Sequence, residues 1–205
     1  MSKKIAVITL GCSKNLVDSE RLMRMLADVG YDVADAASDE FIGSDGEKIV
    51  VINTCGFIGD AKEESVNEIL AWCEAKNEGA IDALYVMGCL SQRYADELPA
   101  EIPEVDRWYG KTDWSNLVLD LVNRAPGSAP YDRVITTPRH HAYLKIAEGC
   151  NRFCSFCAIP LITGRYKSRS VEEIVDEVRM LVGRGVKEFN VIAQDLTNYG
   201  KDLYG

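Results

Sequence analysis

The sequence predicts an α/β protein: an open, mainly parallel sheet with helices on both faces, followed by a single βαβ unit. Three observations carry this. Short apolar runs alternate with longer stretches of 3.6-residue periodicity along most of the 205 residues, the pattern of strands that cross over through helices. A break rich in small residues and proline, Ala125–Pro130, divides the chain. With 47% hydrophobic and 27% charged residues, the composition is that of a globular protein with a buried core.

The elements follow in order. Lys3–Leu10 is an apolar run and predicts a buried strand. Asn15–Val29 carries Leu22, Met23, Leu26 and Val29 at helical spacing, with Gly30 placed to cap it. The plan repeats: a strand over Lys48–Asn53, then a helix over Asp60–Lys76 with Val66, Ile69, Leu70 and Cys73 on one face. A third unit pairs a strand at Ala83–Met87 with a short helix at Ser91–Leu98. A strand at Arg107–Tyr109 and a helix from Trp114 to Asn123 end the series. Past the break, Tyr131–Thr137 predicts a strand or extended arm, and His140–Glu148 leads into a strand at Tyr143–Ala147. Ser170 with Glu173 three residues on forms a capping box. It opens a helix striped by Val171, Ile174, Val175, Val178, Leu181 and Val182, which Gly185 ends, and Glu188–Ala193 is the next strand. One βαβ unit leaves most of a sheet edge uncovered, so the chain is expected to be truncated at its carboxyl end.

Charge and cysteine usage narrow the function. The run Ile5–Leu10 stops at Gly11 and is too short for a signal segment, and no stretch reaches membrane-span length. A cytoplasmic protein without a membrane anchor is expected. A formal charge of −9 argues against a nucleic-acid grip and suits a basic partner or a small ligand. Seven cysteines, not spaced as a disulfide framework, read as metal ligands or catalytic thiols.

Cys12, Cys55 and Cys89 each follow a predicted strand directly, in Leu10-Gly11-Cys12, Asn53-Thr54-Cys55 and Met87-Gly88-Cys89. Groups just past the carboxyl ends of neighbouring parallel strands converge in one crevice. Gly11, Gly56 and Gly88 leave room for close backbone approach. Three thiolates there make a soft site, suited to an iron–sulfur cluster or to zinc. Cys73, mid-helix on an apolar stripe, reads as core packing instead.

Cys150, Cys154 and Cys157 form a CxxxCxxC run after a strand. Three thiolates can hold three irons of a cubane cluster and leave the fourth open to a chelating ligand such as S-adenosylmethionine. Phe156, joined by Phe153, is placed to shield the loop. Zinc would need a fourth ligand, and His140 and His141 lie a strand length away, roughly 15–20 Å. They read as solvated or structural.

With these residues the chain resembles the radical S-adenosylmethionine superfamily and, within it, the methylthiotransferases. The likeness rests on the two cysteine sets, on Gly11–Glu20, Asn53–Ile58 and Ala142–Ile146, and on Gln194-Asp195-Leu196-Thr197 with Tyr199-Gly200. It is similar to the members that methylthiolate an aspartate of small-subunit ribosomal protein twelve. The resemblance implies a methylthiotransferase amino-terminal domain at 1–125, a linker at 126–138, and at 139–205 the start of a radical S-adenosylmethionine core, a partial TIM barrel.

It further implies two 4Fe-4S clusters, with Cys12, Cys55 and Cys89 on the sulfur donor and Cys150, Cys154 and Cys157 on the cluster that cleaves S-adenosylmethionine. Gln194 and Asp195 would contact that cofactor. The implied partners are the basic ribosomal protein and an electron donor such as flavodoxin or ferredoxin, and the fragment alone is expected to be inactive. Arg165, Lys167 and Arg169 read as a solvated basic face. The competing readings are a transfer-RNA methylthiotransferase, a non-catalytic iron–sulfur carrier and a zinc-stabilised structural protein.

Overall fold

The computed structural model describes residues 3–123, 127–129 and 131–205. Ala125, Pro126 and Pro130 of the predicted break lie outside the described residues. The first unit runs β1 (Lys3–Thr9), α1 (Ser13–Asp28), β2 (Asp32–Ala34), α2 (Asp39–Ile42), β3 (Glu47–Thr54), α3 (Gly59–Asn77), β4 (Ala83–Gly88), α4 (Cys89–Arg93), α5 (Leu98–Glu101), β5 (Arg107–Trp108) and α6 (Trp114–Val122). Its strands lie in the order β2-β1-β3-β4-β5 and pair in parallel throughout, as the alternating pattern predicts.

Side chains alternate across the sheet and so divide one apolar sequence between two cores. Ala6, Val50, Ile52, Leu84 and Val86 face Ile69 and Cys73 of α3 and Leu90 of α4. Ile5, Val7, Ile49 and Val51 face Leu22, Met23 and Leu26 of α1 and Leu117 and Val118 of α6. Central strand β3 is buried from Ile49 to Thr54, which is why it reads as a continuous apolar run rather than an alternating one.

Several boundaries differ from expectation. The short helix predicted at Ser91–Leu98 is two pieces, α4 and α5. Pro99, near the start of α5, cannot extend a helix that precedes it but opens a new one well. Leu70 is 45% exposed, because Ile69 and Cys73 already occupy the sheet-facing stripe of α3 and Leu70 lies a residue round the helix. The short edge elements β2 and α2 carry too little periodicity to be read in advance.

Beyond the arm come β6 (His141–Lys145), β7 (Ala147–Glu148), α7 (Ile159–Thr163), β8 (Lys167–Ser168), α8 (Val171–Gly183), β9 (Glu188–Ile192), a 3-10 turn at Leu196–Asn198, and α9 (Lys201–Tyr204). Strands β6 and β9 pair in parallel across α8, giving the predicted βαβ unit. The Ser170 hydroxyl accepts from the Glu173 N–H at 3.2 Å and caps α8, and Gly185 follows its end at φ +99°. Val171, Val175 and Val182 on the predicted stripe are exposed, since a two-stranded sheet covers only the line through Leu181. Strands β7 and β8 form a small antiparallel pair that the sequence did not announce. Tyr131–Thr137 contains no strand; it is an arm tied to α1 where the Val134 N–H meets the Glu20 carbonyl at 3.1 Å.

The arm also delivers Arg133 into a buried ionic seam. Its guanidinium pairs with Glu20 of α1 and, at 2.9 Å, with Glu177 of α8. Glu177 is fully buried and also receives Arg169 at 2.5 Å and Arg21 at 3.5 Å. Helix α1 is thereby pinned to α8 by largely buried charges, and Arg133 also donates to the Tyr143 carbonyl of β6. Among the described residues no helix is long and apolar enough to cross a membrane.

Candidate metal centre

Three neighbouring strands, β1, β3 and β4, deliver one cysteine each to the same edge of the sheet. Cys12 sits at the amino-terminal cap of α1, Cys55 directly follows β3, and Cys89 is the first residue of α4. All three line one cavity of about 590 Å³, the convergence expected at the carboxyl ends of parallel strands. The glycines beside them also answer a packing demand. A side-chain carbon on Gly11 would lie 2.6 Å from Cys55 Cβ, and one on Gly56 would lie 2.7 Å from the Cys89 carbonyl oxygen. Gly88 presses in the same way on the Thr54 backbone, at 2.5 Å. The glycines let the three cysteine-bearing segments touch each other.

Asn15 ties the segments together. It is buried, its amide donates to the carbonyls of Leu10 at 2.9 Å and Thr54 at 3.0 Å, and its oxygen lies 3.7 Å from Cys89 Sγ. Asn53 donates to the Asn15 carbonyl at 3.0 Å and to Ser19 at 2.9 Å. The Ser65 hydroxyl accepts from the Cys55 N–H at 3.0 Å. Sequence reasoning gave Asn15, Asn53 and Ser65 no role in the site; Asn15 and Asn53 lie near strand ends, whereas nothing marks Ser65 within α3. Burial pushes the Cys89 thiol up to about 11, opposed by the charge of Lys111 and reinforced by Cys55 and Cys12.

Lys111 is a further wall of this cavity and is 2% exposed. Its ammonium lies 2.9 Å from Asp18 and 3.7 Å from Glu148, and Lys145 pairs with the same two acids. Burial would raise the Asp18 carboxyl, but Lys111 and Lys145 together hold it below its ordinary value. Burial would likewise strip Lys111 of its proton, but Asp18, Glu148 and Cys89 hold its ammonium above the usual lysine range.

The second trio lies in the loop between β7 and α7. Cys150 is buried, Cys157 half-buried and Cys154 exposed. The Cys150 N–H donates to the Gly164 carbonyl at 3.2 Å and the Cys157 N–H to the Cys154 carbonyl at 3.0 Å, so the loop is folded back on itself. A side-chain carbon on Gly149, at φ +78°, would lie 2.1 Å from the Arg165 carbonyl oxygen. Cys157 and Gln194 reach the cavity of the first trio, which also has Phe57, Ile58 and Ile159 on its walls.

The structure places the remaining residues singled out in the sequence as follows. Phe156 is 89% exposed and Phe153, at φ +46°, is 57% exposed, so neither ring shields the loop. Arg169 is no part of a solvated basic face, since Glu173 and Glu177 draw its guanidinium inward, while Arg165 and Lys167 are exposed. Asp195 does not line the cavity and is engaged by Arg152 at 2.6 Å. His141 packs edge-on against Tyr143 at 5.0 Å and meets the Asn190 amide at 2.8 Å. Cys73 is packed in the core as expected.

The donor chemistry bears on what these cysteines can hold. A single zinc ion bound at its usual sulfur distance needs thiolates about 3.8 Å apart. Among the described residues no three His, Cys, Asp or Glu side chains converge tightly enough to hold one ion. A cluster of several metals takes one thiolate at each corner, which suits thiols delivered by three separate strand ends to one cavity.

Comparison with known proteins places the two halves separately. Residues 4–110 match the Uncharacterized protein family UPF0004, and residues 144–204 match the Radical SAM superfamily. The ribosomal protein uS12 methylthiotransferase RimO of Phocaeicola vulgatus is 60% identical over 200 residues, and that of Porphyromonas gingivalis 61% identical over 203. Each alignment takes in 98% of this chain but 45% of the relative, so the chain spans less than half the length of these proteins. Among solved structures, the radical S-adenosylmethionine methyltransferase TsrM from Kitasatospora setae, with cobalamin and a [4Fe-4S] cluster bound, matches with a TM-score of 0.63 at 14% identity. That match covers 95% of this chain and 48% of TsrM, and supports the fold class.

Proposed function

The chain belongs to the UPF0004 family, and from that membership we propose that it is the cluster-binding part of a radical S-adenosylmethionine methylthiotransferase acting on the β-carbon of an aspartate in small-subunit ribosomal protein uS12. The observation that carries this is the shared cavity, where Cys12, Cys55 and Cys89 from the sheet meet Cys157 and Gln194 from the βαβ unit. Each trio would hold a 4Fe-4S cluster by three corners. The units would be 1–125 and 139–205, joined by a linker at 126–138.

Bound clusters and S-adenosylmethionine would supply the radical chemistry needed at a saturated carbon, where no side chain at neutral pH can remove the hydrogen. The chain's own residues bind, orient and enclose. Asn15 and Ser65 fix the three strand-end segments, and Gln194 is placed to contact the cofactor. Asp195, whose carboxylate is held by Arg152 and Thr197, would join Gln194 in that contact. Phe57, Ile58 and Ile159 give the cavity an apolar wall.

The uS12 name of both relatives favours a ribosomal protein over transfer RNA as substrate. A formal charge of −9 also suits a basic partner. A flavodoxin- or ferredoxin-type protein in the cytoplasm would deliver the electron.

Anaerobic loading with iron and sulfide tests the reading. The wild-type chain should take up about eight irons, and about four once either trio is replaced by alanine. S-adenosylmethionine should perturb the spectrum only while Cys150, Cys154 and Cys157 are present. A chain that stays free of iron, or a spectral response that survives loss of that trio, would reject the proposal.

A further inference from the structure

Of the two lysines on the wall of the thiol cavity, Lys14 is half-buried and Lys111 is 2% exposed. Solvent screens a charge at the first position and not at the second. Lys111 belongs to a quartet with Asp18, Lys145 and Glu148, whose formal charges cancel. The quartet is asymmetric. Lys111 lines the thiol cavity, where its charge acts on the Cys89 thiol, whereas Lys145 and Glu148 line a separate cavity of about 300 Å³. Of the quartet, the member presented to Cys12, Cys55 and Cys89 is therefore a cation. Buried ion pairs of this kind add little net stability over apolar packing, which leaves the field at the cavity as the physical consequence of the arrangement.

We propose that Lys111 is an electrostatic positioning residue of the first cysteine site, a fixed buried cation that raises the reduction potential of the cluster held by Cys12, Cys55 and Cys89. The inference rests on the cluster-binding reading above. Three thiolates give that site a negative charge, and one-electron reduction by a mediator or protein donor adds another. A buried ammonium on the wall favours the more negative, reduced form, because little water lies between to weaken the attraction. Asp18 holds Lys111 in place. Through Glu148, two residues before Cys150, the same quartet is joined to the loop of the second trio.

The test uses the full chain with Cys150, Cys154 and Cys157 replaced by alanine, so that the first trio alone is loaded with iron and sulfide. Its midpoint is read by redox titration followed by electron paramagnetic resonance. Lys111→Met should shift the midpoint to lower potential at unchanged iron content. Lys111→Gln, which still donates to Asp18 and spares the fold, should shift it in the same direction. Lys111→Arg should restore it, and Lys14→Met should move it much less. Should Lys111→Gln load iron normally and titrate at the parent midpoint, the role of Lys111 is overturned while the cluster reading stands. A parent that binds no iron overturns both.

Discussion

Arg152 and Asp195 form a two-point latch between the cysteine loop and the segment after β9. Nε meets Oδ2 at 2.6 Å, Nη2 meets Oδ1 at 3.3 Å, and the same guanidinium donates to the Thr197 hydroxyl at 3.0 Å. Hydrogen bonds from Arg152 and Thr197 hold the Asp195 carboxyl below its ordinary value.

The latch should govern the loop and not the fold. Arg152 is largely exposed, and exposed ion pairs contribute little to global stability. Arg152→Ala should leave the melting temperature unmoved and speed amide exchange across 150–157. The pH sense is fixed by the lowered value: the contribution is complete above the unfolded carboxylate pKa and is lost as pH falls through the native one. Protection of the loop amides, measured against their intrinsic exchange rates, should therefore be full at neutral pH and fall in acid, and Asp195→Asn should abolish that pH dependence of protection.

Glu177 should behave oppositely. It is fully buried beneath Arg133, Arg169 and Arg21. Glu177→Leu leaves three guanidinium groups without their shared acid, at a cost of about 3–5 kcal/mol. Urea unfolding checks this as a lowered midpoint. Arg179→Ala, on the exposed side of the same helix, should leave the midpoint where it is.

The contact glycines give a third outcome, separable by site. Gly11→Ala would place its new carbon 2.6 Å from Cys55 Cβ at a backbone φ of +91°, so Cys55 must move out of register with Cys12 and Cys89. Iron uptake should fall by the first trio's share alone. Gly149→Ala, pressing on the Arg165 carbonyl, should lose the second trio's share.

The strength of the sequence signals explains which parts of this architecture could be read in advance. Strands β1, β3 and β4 declare themselves as continuous apolar runs, and helices α1, α3 and α8 by apolar residues at helical spacing. The cysteines are visible because thiols at three strand ends and in CxxxCxxC spacing have few other uses. The quartet of Lys111, Asp18, Lys145 and Glu148 has no such signature. Its members lie far apart in sequence, and each looks like an ordinary surface charge until the fold brings them together. Asn15 was hidden for the same reason, and the exposure of Phe153 and Phe156 follows from a loop conformation that composition does not encode.

Cys73 and Cys89 provide the sharpest contrast between packing and ligation, because both are buried thiols on elements that cover the same face of the sheet. Burial raises both above the ordinary thiol value, Cys89 to about 11. Burial therefore cannot tell them apart, but surroundings can. Cys73 sits among Ile69, Ile81 and Ile102, where an isolated thiolate would have no partner, whereas Cys89 opens onto a cavity with two other thiols and a buried ammonium. Cys73→Ala should lower stability by about 1–2 kcal/mol through lost packing and leave iron uptake intact. Cys89→Ala should reverse the pattern: little change in unfolding of the iron-free chain, and loss of the first trio's iron. Equal iron loss in the two variants would show that the strand-end placement does not single out ligands, and would remove the basis for assigning Cys12 and Cys55 as well.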